Sequence, residues 1–282
     1  MSEKNKTLFD EPVLEQKKPE YPELELTRDT VDVPLPSNGL IYDQMHPLHQ
    51  KSSTSFVELT PFEESVLYDK TRFRNGTVIE DLVQVALHDK TINVNTLLSG
   101  DKDVIFAVIR GFCFDEIYKF DIKCPQCETT QEITYNILQQ LKYKSLNLDE
   151  VKQVAPHTNK FLFTLPKSGY TVEYKYLTVG DTKRVAKDKK DRQKAGMDSK
   201  YDLVYDLSSA IISISGITDR AKILEFMTKV STKDSAAFRR HVMNTEPGLD
   251  TMFDFECNNK DCGHKEKTEM KVDASFFFPL LK

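Results

Sequence analysis

The chain has no tryptophan and only five cysteines in 282 residues. A sparse and odd set of cysteines argues against a disulfide framework, which belongs to small secreted domains with many paired cysteines. Basic residues do not outnumber acidic ones, and the net charge of −5 argues against general nucleic-acid binding, which needs a basic surface. No apolar run approaches the roughly 18 residues of a membrane span. We therefore expect no membrane partner, and nucleic acid is not an expected partner.

The common catalytic motifs are also missing. The sequence contains no glycine-rich phosphate loop, no Gly-x-Ser-x-Gly elbow and no His-Glu-x-x-His helix. Its six histidines are scattered along the chain. We expect neither enzymatic activity nor a small-molecule substrate. The first twelve residues are polar and do not resemble a secretory signal, so we expect the chain to stay in a reducing cytoplasm.

Four of the cysteines form two close pairs, Cys124 with Cys127 and Cys257 with Cys262. Two such pairs suit a tetrahedral zinc ion, because each pair bends a tight loop around half of the metal. Gly263 follows the second pair, where such a loop often needs a positive φ. Four thiolates leave no position for an activated water, so the predicted Zn²⁺ is structural rather than catalytic.

The flanks of both pairs predict strands. Phe120–Lys123 and Phe253–Glu256 alternate apolar and polar residues before the cysteine, and residues 130–137 and 266–272 can supply return strands. A strand, a cysteine loop and a second strand, occurring twice, predict a zinc ribbon.

Alternatives remain open at this point. His264 can replace Cys262 as a metal ligand. The Cys-Pro-Gln-Cys motif at Cys124 also suits a thiol–disulfide oxidoreductase, although that chemistry places the first thiol at a helix N-terminus. A zinc-ribbon nucleic-acid-binding factor is the main functional alternative. Cys113 lies among aromatic residues and is expected to be a packed core residue.

Three parts are predicted along the chain. Residues 1–32 are polar with little periodicity and predict a flexible N-terminal arm. Residues 33–150 form a first half with one cysteine pair, and residues 151–282 form a second half with the other. The apolar end, Phe276–Leu281, is expected to fold back into the core.

The two halves repeat a series of landmarks in one order: a Leu-Pro turn, a strand, a threonine before a helix, an Asp-Leu-Val triplet, an aspartate before an apolar helix, and a cysteine pair. These lie at Leu35, Leu40–Tyr42, Thr60, Asp81, Asp103 and Cys124, and again at Leu165, Thr171–Tyr174, Thr178, Asp202, Asp234 and Cys257. From leucine to cysteine is 89 positions in the first half and 92 in the second. This spacing predicts an internal duplication. The predicted fold is α+β, with two pseudo-repeated halves of strand-turn-strand plus helices joined through a zinc ribbon.

Lys183–Lys194 carries seven basic and two acidic residues. The segment predicts a solvated helix, and a phosphate-binding patch is the alternative interpretation.

The order of these motifs resembles the T4-like baseplate protein family of contractile-tailed bacteriophages. The resemblance covers residues 33–282 and is carried by Leu35–Tyr42, Cys124–Cys127, the turn at Leu165, the pair of Cys257 and Cys262, and Phe276–Pro279. The second cysteine pair has four intervening residues, whereas a shorter spacing is commoner in the family. His264 therefore remains an alternative metal ligand.

The resemblance implies a non-enzymatic baseplate hub component or a chaperone of hub assembly. Its partners would then be other hub and tail proteins. It would reside in the host bacterial cytoplasm during assembly, with the virion tail baseplate as a second location.

Overall fold

A computed structural model describes residues 27–270 and Phe276. The first half of the chain contains, in order, β1 (Thr30–Pro34), β2 (Ser53–Val57), α1 (Pro61–Glu64), α2 (Lys70–Asn75), α3 (Val78–Ala86), α4 (Ser99–Cys113), β3 (Ile117–Lys123), β4 (Thr130–Asn136), α5 (Ile137–Gln140) and β5 (Lys142–Lys144). Short 3₁₀ turns occur at Ser65–Tyr68, Val94–Thr96 and Leu148–Glu150.

The second half contains β6 (Lys152–Gln153), β7 (Phe161–Thr164), β8 (Thr171–Tyr174), α6 (Val179–Lys194), α7 (Asp202–Ser209), β9 (Ile211–Ile214), α8 (Arg220–Lys229), α9 (Thr232–Thr245), β10 (Gly248–Asp250), β11 (Met252–Glu256) and β12 (Lys265–Glu269). A 3₁₀ turn at Ser199–Tyr201 precedes α7. The mixture of helices and antiparallel strands confirms the α+β class.

The strands form small antiparallel sheets. β6, β7, β8 and β9 make a four-stranded sheet in that order, whereas β1 with β2, β3 with β4, and β11 with β12 are two-stranded. β5 pairs with β10 across the two halves. Two-stranded ribbons are marginally stable alone, so these sheets depend on the helices and on each other for burial.

A buried carboxylate fixes the first Leu-Pro turn. Asp101, the third residue of α4, accepts hydrogen bonds from the Ser37 backbone N–H (2.9 Å), the Ser37 hydroxyl (2.5 Å) and the Tyr42 hydroxyl (2.8 Å). The Tyr42 oxygen in turn accepts from the Leu98 N–H. Burial raises the pKa of Asp101, although the hydrogen bonds from Ser37 and Tyr42 oppose that shift. The turn and the start of α4 are therefore held as one unit.

The second Leu-Pro turn is fixed in the same way. Asp234, the third residue of α9, is fully buried and accepts from the backbone N–H groups of Lys167 (2.7 Å) and Ser168 (3.1 Å). The sequence pattern paired Asp234 with Asp103. In the structure Asp101, the third residue of its helix, makes the turn contact in the first half, whereas the Asp103 side chain remains half exposed.

The predicted strand at Leu40–Tyr42 was also wrong, since this segment forms consecutive turns. Gly39 adopts φ +67°, and a Cβ there would lie 2.4 Å from the Lys51 N and 2.5 Å from the Leu48 O. This close approach folds the chain back on itself directly after the Leu-Pro turn. The side chain of Tyr42 thereby reaches Asp101, and an extended strand is excluded.

Both predicted helix starts are confirmed. Thr60 and Thr178 each form a capping box, in which the threonine side chain accepts from the third helical N–H. The reciprocal carboxylates are Glu63 and Asp181. The first β-strand begins at Thr30, so residues 30–32 of the predicted arm belong to the fold. The rest of the arm through residue 26 lies outside the described residues.

One continuous hydrophobic core joins the two halves, with buried residues drawn from β1 through α9. A backbone exchange fixes their contact: the Ser99 N–H donates to the Leu177 carbonyl (3.0 Å), and the Val179 N–H donates to the Leu97 carbonyl (2.9 Å). At Gly100, a Cβ would lie 2.0 Å from the Pro247 carbonyl oxygen. Only glycine permits α4 to approach the second half this closely.

Phe276 is buried in this core, as expected for the apolar C-terminal segment. Its ring lies edge-on to Tyr118 (4.9 Å between centroids), and its carbonyl accepts from Arg110 Nε (2.8 Å). Arg110 is itself buried near the end of α4. The following residues of the segment, 277–281, lie outside the described part of the chain.

The polar anchor of the first turn can be tested by mutation. We expect Asp101→Ala to lower the free energy of unfolding by about 3 kcal/mol, because it leaves buried Ser37 and Tyr42 donors without their acceptor. Asp103→Ala, on the same helix, should cost less than about 1 kcal/mol, as for exposed ion pairs. Urea denaturation followed by circular dichroism measures both values. Equal losses for the two variants would contradict the anchoring role of Asp101.

Candidate metal centre

The first cysteine pair lies at the tip of the β3–β4 hairpin. The strands pair from Ile117 opposite Asn136 to Lys123 opposite Thr130. Beyond that pairing, the Cys124 N–H donates to the Thr129 carbonyl, and the Glu128 N–H donates back to the Cys124 carbonyl, both at 2.9 Å. The chain turns tightly enough to point both thiols of this pair to one side.

The second pair lies at the tip of the β11–β12 hairpin. The Cys257 N–H donates to the His264 carbonyl (2.8 Å), and the Cys262 N–H donates to the Asn259 carbonyl (3.0 Å). Gly263 has φ +59°, which confirms the positive φ expected at that position. Each cysteine pair thus follows a strand and occupies a turn, as the sequence predicted. A helix N-terminus, which the oxidoreductase interpretation requires, is absent at Cys124.

The two hairpin tips bring the four thiols together. The sulfur atoms of Cys124, Cys127, Cys257 and Cys262 all lie within 4.8 Å of one another. Two of the separations are 3.9 Å (Cys124 to Cys262) and 3.6 Å (Cys127 to Cys257). A tetrahedron with Zn–S bonds of about 2.3 Å has sulfur–sulfur edges of about 3.8 Å. The cluster therefore has the dimensions at which four thiolates can hold one metal ion.

His264 is not a member of this cluster. Its Nε2 atom lies 3.5 Å from the Glu266 carboxylate, and its backbone carbonyl accepts from Cys257. In this arrangement the histidine supports the loop through its main chain, and Cys262 supplies the fourth sulfur.

A small apolar cluster surrounds the sulfurs. Cys124 and Cys257 are buried with Phe255, and Ile122 and Ile133 of the first hairpin pack against them. The rings of Phe120 and Phe253 meet edge to face at 5.7 Å, one from each hairpin. Hydrophobic contact therefore aligns the hairpins below the sulfur cluster, and two of the four sulfurs are screened from solvent.

Gln131 provides a polar link that the sequence did not reveal. From β4, its side-chain Nε2 donates to the Glu256 carbonyl (2.9 Å), and its Oε1 accepts from the Asn258 N–H (2.8 Å). These two groups flank Cys257 in the chain, so one buried amide fixes the position of that cysteine relative to the first hairpin. In the sequence, Gln131 is only a polar residue at an inward-facing position of a strand. Hydrophobic periodicity does not show that such a residue makes hydrogen bonds to another hairpin.

Thiols at these distances do not ionise independently. Hydrogen bonding with the side chain and the backbone of Thr129 lowers the pKa of Cys127 to about 6. The backbone hydrogen bond of His264 and the Cys257 sulfur favour a lower pKa for Cys262, but burial and the sulfurs of Cys127 and Cys124 outweigh them, so its pKa is raised. A bound cation would favour thiolates at all four positions, because each deprotonated sulfur then has a positive partner. Cys113 lies apart from this cluster, and burial raises its pKa.

Residues 63–278 match the family model described as T4 bacteriophage base plate protein. Searches of curated proteins and of solved structures found no match. Among the described residues, no helix is both long enough and apolar enough to cross a membrane. The matched segment spans most of the chain and includes both cysteine pairs and the buried Phe276, and the chain therefore belongs to the T4 bacteriophage base plate protein family.

Proposed function

We propose that the four cysteines hold one structural Zn²⁺. The support is the meeting of all four sulfurs within 4.8 Å, at the tips of two hairpins, one from each half of the chain. Zinc favours tetrahedral thiolate ligands, and a four-sulfur set leaves no open position for water or substrate. In this proposal the ion joins the two hairpins into a zinc ribbon and has no catalytic role.

We further infer that residues 33–150 and 151–282 are duplicated halves. Each half has a Leu-Pro turn held by the third residue of a later helix, Asp101 or Asp234. In each half, the residue or strand after a helix pairs with the strand that follows the turn. Leu87, after α3, pairs with Phe56, and Ile211, after α7, pairs with Tyr174. Each then ends in a cysteine hairpin. An experimental structure in which the halves superposed only at those hairpins would contradict the duplication.

The protein's proposed role is that of a baseplate hub component or a chaperone of hub assembly. The observation that carries this proposal is the family match over residues 63–278. Its action is to hold other hub and tail proteins, and it does not catalyse a reaction. It acts in the host cytoplasm during assembly, with the tail baseplate of the virion as a further location.

The surface of the hairpins favours this role over nucleic-acid binding. Lysines on both hairpins lie beside glutamates: Lys119 is 3.3 Å from Glu132, and Lys265 is 2.8 Å from Glu256. Lys123 is similarly paired with a glutamate in the first cysteine loop. Sequence-independent binding to phosphates needs uncompensated basic residues, and these lysines are already compensated.

Metal analysis tests the zinc proposal. We expect protein purified without chelator to contain one zinc ion per chain, and Cys124→Ser to lose both the zinc and much of the folding stability. Structural zinc contributes roughly 10–16 kcal/mol of apparent binding free energy in small peptides at neutral pH. Elemental mass spectrometry gives the metal content, and thermal denaturation gives the stability.

Two variants sharpen this measurement. Cys113→Ser changes the one cysteine outside the cluster and should retain the full zinc content. His264→Ala should also retain it, because the imidazole lies outside the sulfur set. Loss of zinc in His264→Ala with retention in Cys262→Ser would assign the fourth ligand to histidine. Metal-free protein that is normally folded would reject the zinc proposal altogether.

Gln131 should control how tightly the metal is held. We expect Gln131→Ala to weaken zinc affinity by about 10-fold or more, as for other residues that orient metal ligands. The physical reason is the loss of both hydrogen bonds that flank Cys257. Competition with a chelator of known affinity measures the change. Glu132→Ala, an exposed neighbour on the same strand, should leave the affinity unchanged; an equal loss there would show that Gln131 has no special role.

Co-expression with hub proteins of the same phage, followed by pull-down, tests the role in assembly. We expect the full chain to capture a hub protein and a chain lacking residues 1–26 to capture less, because an extended arm adds contact area. The cut retains Arg28, which pairs with Glu63 at 2.6 Å, so zinc content and stability should persist. Should the full chain capture no tail protein and bind DNA or RNA tightly at physiological salt, the nucleic-acid alternative replaces this proposal.

A further inference from the structure

The basic segment of α6 forms one wall of a cavity in the second half. The cavity has a volume of about 410 Å³ and is lined by residues of α6, α7, α8 and β9 and by Lys175, which follows β8. Its lining includes four cationic side chains, Lys175, Arg184, Arg192 and Arg220, against one carboxylate, Asp188. The cavity shares no lining residue with the sulfur cluster.

Arg220 is held in this wall by neutral groups. Its guanidinium donates to the backbone carbonyl of Ser208 and, at 2.9 Å, to the Ser208 hydroxyl. Burial lowers the pKa of Arg220, the positive charge of Arg184 lowers it further, and Asp188 opposes the shift. Arg220 is therefore fixed in the cavity wall, and the more exposed Arg184 lines the same cavity.

Arg192 is also fixed, and it retains hydrogen-bonding capacity. Its guanidinium carbon lies 3.9 Å from the centroid of the Tyr205 ring, and its side chain is 14% exposed. The Nη2 atom is buried without a hydrogen bond among the described residues, and it lies 3.8 Å from the Asp202 carboxylate. Asp202 has a closer cation in Lys189, at 3.2 Å. A buried donor of this kind normally has an acceptor.

The two remaining cations share a single carboxylate. Lys175 Nζ lies 2.7 Å from Asp181 and Arg184 Nη2 lies 2.5 Å from it, on opposite oxygens. Asp181 is also the reciprocal carboxylate of the α6 capping box and accepts from the Thr178 N–H and hydroxyl, so its oxygens are fully engaged. The positive charge that faces the cavity thus exceeds the negative charge that surrounds it.

We propose that this cavity binds a phosphate group. A dianion offers several oxygens to the fork-shaped guanidinium groups, and such charge-assisted bonds are the strongest that arginine makes. It would accept hydrogen bonds from the cationic side chains that line the cavity and would offset the repulsion between Arg184 and Arg220. The volume also accommodates a phosphomonoester. The site is independent of the proposed role in baseplate assembly.

Titration of the purified full-length protein tests the site. The probes are inorganic phosphate and glycerol 3-phosphate, which distinguish a free anion from an ester. Binding is measured by isothermal titration calorimetry at about 0.15 M salt, where interactions between exposed charges are screened beyond about 8 Å. We expect saturable binding of at least one probe. Arg192→Gln should weaken it by about 10-fold or more, since it removes a charge-assisted donor.

Lys190→Gln is the matched control, because it removes the same charge from an exposed position of α6 outside the cavity lining. It should bind as the unmodified protein does. Arg184→Gln provides a second cavity variant if Arg192→Gln proves unstable in thermal denaturation. Equal weakening by the control, or no saturation up to about 10 mM of either probe, would overturn the proposal. Binding of a glutamate-rich peptide without binding of phosphate would overturn it in favour of a carboxylate partner.

Discussion

The meeting of two distant hairpins is the constraint on which the rest of this structure depends. Cys127 and Cys257 lie 130 residues apart and their sulfurs approach to 3.6 Å. Closing a flexible loop of that length costs roughly 4 kcal/mol in chain entropy beyond a constant term. The contacts of Phe120 with Phe253 and the two hydrogen bonds of Gln131 offset part of that cost. A metal ion at the sulfurs would make the closure much more favourable, because its ligands come equally from both hairpins.

Closure also requires that each half present its hairpin in a fixed direction. A helix precedes each hairpin in the chain, and each helix is tied at its start to a Leu-Pro turn through Asp101 or Asp234. Removing a carboxylate from water is costly unless hydrogen bonds replace the lost hydration, and the turn supplies them. The buried aspartates therefore fix a local turn to the helix that leads toward the cysteine hairpin of each half.

The sequence predicted well the features that depend on local chemistry. The cysteine loops, the positive φ at Gly263 and the capping threonines each follow from neighbouring residues, and all are confirmed. The sequence-based predictions failed where contacts between distant parts of the chain determine the local conformation. The strand expected at Leu40–Tyr42 is replaced by turns, because Gly39 packs against backbone at Lys51. Gln131 was missed because its importance lies in contacts with a hairpin more than 120 residues away.

The proposed duplication is consistent with the location of the proposed phosphate site in the second half only. In the first half, the segment after the capping threonine is broken into α1, a 3₁₀ turn and α2 between Pro61 and Asn75. In the second half, the same stage of the chain is α6, a single helix of 16 residues. Only the unbroken helix carries Arg184 and Arg192 two turns apart on one face, against α7 and α8. Both halves therefore share the contact of a buried aspartate with a Leu-Pro turn, and they differ at the stage where the second half has the charged cavity of the proposed phosphate site.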